Sequence, residues 1–448
     1  MAIQSAVAPN GVVVEASKAV INDLDASKVI FTPAATLKPL PESSTLVFGQ
    51  TKTDHMLTVE YIPSIGWGAP QIRPYANLEL DPMSSCFQYC PNVFEGMKAY
   101  LDADGTPCLF RPNLNMARMV MSAARMALPP FNPNALLELI KELIRVEKRW
   151  IPKTDEPGYS LYIRPTIIGT RPSLGVSASD SALLYVVLCP TGPYFKSSKS
   201  GKNADSDTPS APPAVSGSPT SAEVESDDGP KGISLLAVSD HVRAWPGGTG
   251  GFKLGLNYAP GFAPQRHALA QGYDQVLWLL ANPSAPDDPK ASKLTEVGAM
   301  NVFVIVKRDD DSGELDAFTP PLDGTILPGL TRASVLELLD THNTSPSSSP
   351  LALPSAVKVH THQTNDLTMS QILDWSAQGR LLEVFGVGTA VVVAPVARIG
   401  FLGEDLYLPG STAEGKRGGL GVVGKAVSDA IMAIQTGKKE FEGWCVRV

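Results

Sequence analysis

Basic charge is in deficit in this 448-residue chain: 37 lysines and arginines stand against 45 aspartates and glutamates, for a net charge of −8. A surface that neutralises nucleic-acid phosphates needs the opposite balance, so nucleic acid is a poor partner. Long apolar runs are missing too. Those that occur, such as the one inside Ser181–Cys189, fall well short of the roughly 20 residues a helix needs to cross a bilayer, and no membrane span is expected. Cysteine is sparse and odd in number. Cys86, Cys90, Cys108, Cys189 and Cys445 show neither metal nor redox spacing and follow no secretory signal, which fits a reducing compartment. The first 27 residues carry one lysine, no arginine and three acids, the wrong sign for a mitochondrial transit peptide, so a cytosolic protein is expected. His360 and His362 lack convergent cysteines or carboxylates, so no metal site is expected. No Gly-x-Ser-x-Gly elbow argues for a serine hydrolase.

What is present is ordinary globular material, 43% hydrophobic and 18% charged, enough for two domains with their own cores. Residues 1–44 read as an N-terminal extension. From Thr45 to Phe195 strand-like and helix-like stretches alternate: Leu57–Tyr61 reads as a strand, Asn134–Trp150 carries Leu136, Ile140, Leu143 and Ile144 at helical spacing, and Ser181–Cys189 reads as a buried strand. Residues 196–232 turn to Ser, Pro, Gly, Asp and Lys and predict a disordered linker or insertion. Core-like sequence resumes at Ile233 and runs to residue 448. It holds a helix near Gln265–Gln271, strands at Gln275–Leu280 and Asn301–Val306, and a helix from Arg332 to Thr341. Asn282–Ser292 and Asn343–Pro354 look like surface loops.

Four stretches could carry chemistry. Lys253 lies in Pro246-Gly-Gly-Thr-Gly-Gly-Phe-Lys-Leu-Gly-Leu-Asn-Tyr258, a small-residue setting with Phe252 and Leu254 beside the cation. Desolvation there would depress the amine's pKa and make it a nucleophile for a carbonyl, the requirement for a Schiff base; a solvated loop lysine is the alternative. Pro328-Gly-Leu-Thr-Arg332 precedes a helical pattern, so the amides of Leu330 and Thr331 could hold a phosphate, or Thr331 could simply cap the helix. Gly386-Val-Gly-Thr-Ala390 could cradle an anion or turn a corner. Gly419-Leu-Gly-Val-Val-Gly424 matches a dinucleotide fingerprint on paper, but no strand leads into it and 24 residues follow, too few for the βαβ unit that motif requires.

A longer ordered set of strings is also present: Thr53-Asp-His-Met-Leu-Thr-Val-Glu60, Phe94-Glu-Gly-Met-Lys-Ala-Tyr100, Pro112-Asn-Leu-Asn-Met116, Leu161-Tyr-Ile-Arg-Pro165, Pro172-Ser-Leu-Gly-Val176, Arg243-Ala-Trp, Thr295-Glu-Val-Gly298, Leu327-Pro-Gly and Gly388-Thr-Ala390. Collinear from Phe48 to Trp444, this set resembles the branched-chain aminotransferases, of the fold-type IV class of pyridoxal-phosphate enzymes. The resemblance implies a mixed α/β fold with a small N-terminal α/β domain, a larger C-terminal domain around a distorted barrel-like sheet, and a homodimer. Residues 196–232 would fall on the interdomain connection. It implies transfer of the amino group of leucine, isoleucine or valine to 2-oxoglutarate.

Carried over residue by residue, the resemblance implies that Lys253 holds pyridoxal 5′-phosphate as a Schiff base and moves the proton between substrate Cα and the cofactor. Glu296 would pair with the pyridinium nitrogen and Tyr258 with the phenolic oxygen. Arg118, the Leu330 and Thr331 amides and Thr389 would hold the phosphate. The substrate carboxylate would meet the Thr389-Ala390 turn and Tyr89, with the side chain near Phe94, Tyr162 and Ala299. Leu174 and Val176 would reach in from the partner, and Arg164 would face the second carboxylate of glutamate or 2-oxoglutarate. Read without the resemblance, Arg118 and Arg164 are better taken as structural ion-pair partners, and Tyr89 and Tyr162 as ordinary half-buried core residues. Departures from the pattern are Lys52 at a pocket-wall phenylalanine position, Ala299 for threonine, Val387 for serine, and Val391 and Ala394 where some animal relatives have a Cys-x-x-Cys redox pair. D-amino-acid aminotransferases and aminodeoxychorismate lyases share the fold, and a cofactor-binding protein without turnover is the reading from outside enzymology.

Overall fold

The structure, a computed structural model, describes residues 21–153, 158–194 and 231–448. The reading of 196–232 as a disordered insertion lies outside these residues, save for Lys231 and Gly232.

Two sheets organise the chain. Ten strands form the first: nine lie between Ile30 and Thr191, and the tenth, Cys445–Arg447, returns from the far end of the sequence to pair antiparallel with Pro107–Phe110. Its longest pairing joins Ser160–Gly169 to Ala182–Thr191 in unbroken antiparallel register. Two helices, Pro112–Arg125 and Pro133–Val146, cover it. The second begins cleanly because Asn132 accepts hydrogen bonds from the amides of Asn134 and Ala135 and Pro133 fits the first helical turn. Its apolar stripe, Leu136, Ile140, Leu143 and Ile144, is fully buried against Leu57, Val59 and Ile163. Each such side chain contributes about 1.5–3 kcal/mol relative to exposure.

The helix expected to continue to Trp150 stops at Val146 and is followed by a short 3-10 turn, Lys148–Trp150. Tertiary bonds decide this end. Glu147 accepts from the amide of Asp54 and the ring of His55, and Trp150 Nε1 donates to Asp54, so the turn must rotate both residues onto the Thr53-Asp-His string.

The second sheet contains a closed ring of six strands: Lys293–Val297, Gln275–Leu280, Ile233–Val238, Val392–Phe401, Leu381–Gly388 and Met300–Lys307, the last pairing back to the first. This is the barrel-like sheet that the resemblance implied. Alternation along Met300–Lys307 divides two cores. Val302, Val304 and Val306 gather with Leu235, Leu277 and Val396 from other strands of the ring. Phe303 and Ile305 pack outward on the helices Leu330–Thr344 and Val422–Gln435. The glycine-rich string before the last helix has a plain structural role: Glu383 accepts from the amides of Val423 and Gly424, occupying the helix N-terminus that a dinucleotide phosphate would need. Among the described residues no helix is long and apolar enough to cross a membrane.

Candidate active site

The loop carrying Lys253 is pinned where the two sheets meet. Leu254 bridges to Val93, the Lys253 carbonyl accepts from the Phe94 amide at 3.2 Å, and the Lys253 amide donates to Ser122 Oγ at 2.9 Å. Asn257 ties the preceding glycine-rich turn, donating to the carbonyls of Thr249 and Phe252. With its backbone fixed, Lys253 places Nζ 3.0 Å from the Tyr258 hydroxyl and 4.7 Å from the centre of the Phe94 ring. The lysine is half-buried, not a freely solvated loop cation.

Glu296 is 1% exposed on the hairpin strand Lys293–Val297. Arg243 Nε lies 2.9 Å from one carboxylate oxygen, and the Leu327 amide donates to the other at 2.8 Å. Burial pushes the Glu296 carboxyl above its ordinary value, opposed chiefly by the Arg243 charge and then by the Leu327 amide, Lys253 and Arg118. Ala299 sits at the exposed tip of the same hairpin.

Arg118 is held in the interior by Glu95. Its Nε and Nη2 donate to the two Glu95 oxygens at 2.7 and 2.8 Å, and Nη1 donates to the Pro328 carbonyl at 3.1 Å. Burial alone would raise the Glu95 carboxyl, but the Arg118 charge and hydrogen bonds overcome it and hold Glu95 below its ordinary value. So Arg118 is an ion-pair partner, as one sequence reading allowed, and the pairing also ties it to the loop before the helix Leu330–Thr344. Gly329, not Thr331, is that helix's N-cap and offers no side chain. Leu330 and Thr331 thus begin the helix with amides that have no intrahelical acceptor. A larger residue at 329 would force Asn301 to shift, because an added Cβ would lie 1.9 Å from its Oδ1.

The facing wall follows from strand alternation. Phe94 pairs with Thr166 and Lys98 with Tyr162 in one continuous register, so Phe94, Gly96 and Lys98 share a face with Tyr162 and Arg164. Met97, Ala99, Leu161 and Ile163 turn the other way into the core. The Arg164 guanidinium lies 4.7 Å from the Phe94 ring centre and 5.2 Å from that of Tyr162, and Nη2 donates to the Tyr162 hydroxyl at 3.0 Å. Its Nε is buried without a partner. Phe48 packs edge-on against Tyr162, whereas Lys52, at the position where the resemblance has a pocket-wall phenylalanine, is exposed above the Tyr75 ring.

Thr389 and Ala390 form the turn of the hairpin between Leu381–Gly388 and Val392–Phe401. Tyr89 stands apart on the surface: its hydroxyl donates to the Leu174 carbonyl, and Tyr89, Leu174 and Val176 are all exposed in the single chain. Sequence reasoning assigned no role to Glu95, Lys98, Ser122 or Arg243, although three of the four lie within or beside the strings it singled out. Among the described residues no group of three or more His, Cys, Asp or Glu side chains gathers as metal ligands.

Known proteins similar to this chain carry one activity in their names. Residues 92–359 match the class IV amino-transferase family. The cytosolic branched-chain-amino-acid aminotransferase of Saccharomyces cerevisiae is 42% identical over 94% of this chain and 96% of its own. The mitochondrial enzyme of that name from Schizosaccharomyces pombe is 39% identical over 94% and 85%. The branched-chain aminotransferase of the thermophilic archaeon Thermoproteus uzoniensis, solved with norvaline, shares the fold, with a TM-score of 0.59 at 19% identity over 88% of this chain and 99% of that one. With a lysine, its tyrosine and a buried glutamate assembled between two sheets of that fold, the chain belongs to the class IV aminotransferases and, within them, to the branched-chain-amino-acid aminotransferases.

Proposed function

We propose that Lys253 is the residue that carries pyridoxal 5′-phosphate in this branched-chain-amino-acid transaminase, and that one pocket takes leucine, isoleucine or valine and then 2-oxoglutarate in alternation. The residues present fit the cofactor: a half-buried amine beside a phenol, a buried carboxylate whose arginine partner Arg243 has an orphaned Nη1, and a helix N-terminus without a side-chain cap. When bound, the cofactor supplies an electron sink for the pair released as the substrate Cα–H bond breaks. Lys253 Nζ takes that proton, and Tyr258 OH holds Nζ in place. Glu296, paired with Arg243, would meet the ring nitrogen. Arg118, the Leu330 and Thr331 amides and Thr389 would hold the phosphate.

For the substrate, the Thr389-Ala390 turn receives the α-carboxylate, and Phe94, Tyr162 and Ala299 line the side-chain pocket, with Phe48 behind Tyr162; Tyr89, tied to Leu174 at the surface, serves the partner's site with it. Arg164 serves the second carboxylate of glutamate. A guanidinium packed between two rings, with an unpartnered Nε, suits a pocket that must accept both an apolar side chain and an anion. Leu174 and Val176 belong to the partner's site in a homodimer, consistent with their exposure here. We place the protein in the cytosol, and imaging the tagged full chain tests that, a mitochondrial pattern overturning it.

The observation that carries this reading is the 3.0 Å contact of Lys253 Nζ with Tyr258 OH beside buried Glu296. The visible spectrum tests it. Wild type should show a lysine-dependent band that leucine bleaches and 2-oxoglutarate restores, and Lys253→Ala should lack the band. A band that persists in Lys253→Ala removes the lysine assignment, and a wild-type band insensitive to leucine removes the donor.

A further inference from the structure

Lys98 is a buried cation that the chemistry above does not use. It is 6% exposed, and among the described residues no carboxylate pairs with it. Its ammonium reaches from the first sheet to the second and donates to the Ala390 carbonyl at 2.7 Å. Directly opposite Tyr162, it also stands on the face that holds Phe94 and Arg164. Burial lowers its pKa to about 8, which leaves it protonated at neutral pH. The turn that it grips is strained: Val392, a β-branched residue, sits at φ +64°, in the left-handed region that such residues avoid.

An uncompensated ammonium is costly to bury, and a left-handed valine adds further strain. Both persist together only if the surroundings hold them or an arriving ligand offsets them. A carboxylate placed at the Thr389-Ala390 turn is the charge that would do so.

We propose that Lys98 is a positioning residue for the α-carboxylate of the amino acid and oxo acid: it fixes the Thr389-Ala390 turn through the Ala390 carbonyl and supplies the positive charge that the bound carboxylate meets. This rests on the reading that the turn receives the α-carboxylate. Lys98 does not touch the proton that moves, so its loss acts on binding and leaves the chemical step largely intact. The charge is what matters, because a neutral donor could still tether the turn but would not attract an anion.

The test uses the holoenzyme, with leucine kinetics and with spectral titration by 4-methylvaleric acid, a leucine analogue that keeps the carboxylate and lacks the amine. Lys98→Met should raise the KM for leucine and the Kd for the acid by about 10- to 100-fold, the span expected for losing a hydrogen-bonded charge, with kcat changed less than about threefold. Lys98→Gln, which keeps a donor without the charge, should behave like Lys98→Met; it also serves if Lys98→Met fails to fold. Unchanged KM and Kd in either folded variant, a fall in kcat alone, or wild-type constants in Lys98→Gln each overturn the assignment. If wild type binds neither leucine nor the acid, the reading of the turn fails with it. If wild type binds both and the variants bind equally well, Lys98 alone is misassigned.

Discussion

Glu95 shows how a single side chain can carry both stability and the site. It is fully buried, and its partners, Arg118 and Asn115, lie 23 and 20 residues away on the helix Pro112–Arg125. A buried pair that loses one member leaves the other charge uncompensated, at a cost of about 3–5 kcal/mol. Glu95→Gln should therefore lower the melting temperature clearly at pH 7 and loosen the cofactor, since Arg118 would no longer be aimed toward Pro328. The pH dependence has a definite sign. Arg118 holds the folded pKa of Glu95 below the ordinary 4.5, so the folded state releases this proton more readily than the unfolded chain. The stabilisation is fully present above about 4.5 and disappears as pH falls through the lower folded value. The gap in melting temperature between wild type and Glu95→Gln should thus be constant near neutrality and close in acid. A gap that stays the same width down to the acid limit would show that Glu95 is not ionised in the fold.

At the scale of elements, the helix Leu330–Thr344 is aimed by a loop in which any side chain at 329 would press on Asn301. The backbone there is ordinary, with φ −69°, so any effect of a side chain is steric. Asn301 cannot simply turn aside, because it is 5% exposed and its Nδ2 donates to the Leu327 carbonyl at 3.0 Å. Gly329→Ala should cost about 1–3 kcal/mol, as overpacking does, and hasten cofactor loss on dialysis. A second change, Asn301→Ser, should recover part of both; no recovery would locate the effect elsewhere. This element also marks what the sequence could and could not reveal. The pattern predicted a helix from Arg332, and the structure starts it two residues earlier, because a glycine cap leaves no side-chain signal. Gln275–Leu280 was legible to the residue, being an apolar run in a buried parallel pair. That Lys253, Tyr258 and Glu296 matter together could be suspected because the first two share the Pro246–Tyr258 stretch and the third lies in the Thr295-Glu-Val-Gly298 string, and the structure brings the three near one another. Glu95 and Lys98 lie in such a string too, but their roles depend on partners 23 and 292 residues away, which no local pattern encodes. The same holds for the 3-10 turn at Trp150 and for Cys445–Arg447, whose place in the first sheet depends on a partner strand more than three hundred residues earlier.

At the scale of the whole molecule, one surface of the single chain is left apolar beside the site's own elements. Met83, Phe87, Tyr89, Leu174 and Val176 are exposed, Val176 by 86%, and they are joined by the Ser84 to Pro172 bridge and the Tyr89 to Leu174 hydrogen bond. Exposed apolar side chains linked in this way suit an interaction surface. Its loop carries two of the residues assigned to a neighbouring pocket, so assembly and activity should be linked. Sedimentation should therefore give about twice the 47.5 kDa chain mass. Val176→Glu would bring a carboxylate into the contact, where desolvating it costs more than the patch can return. This variant should shift toward the single-chain mass at micromolar concentration and lose activity in proportion to the dissociated fraction. Its cofactor band should survive, because Lys253, Tyr258 and Glu296 belong to one chain. Full activity in a dissociated Val176→Glu protein would show that each chain completes its own pocket, and Leu174 and Val176 would then have to be removed from the substrate site.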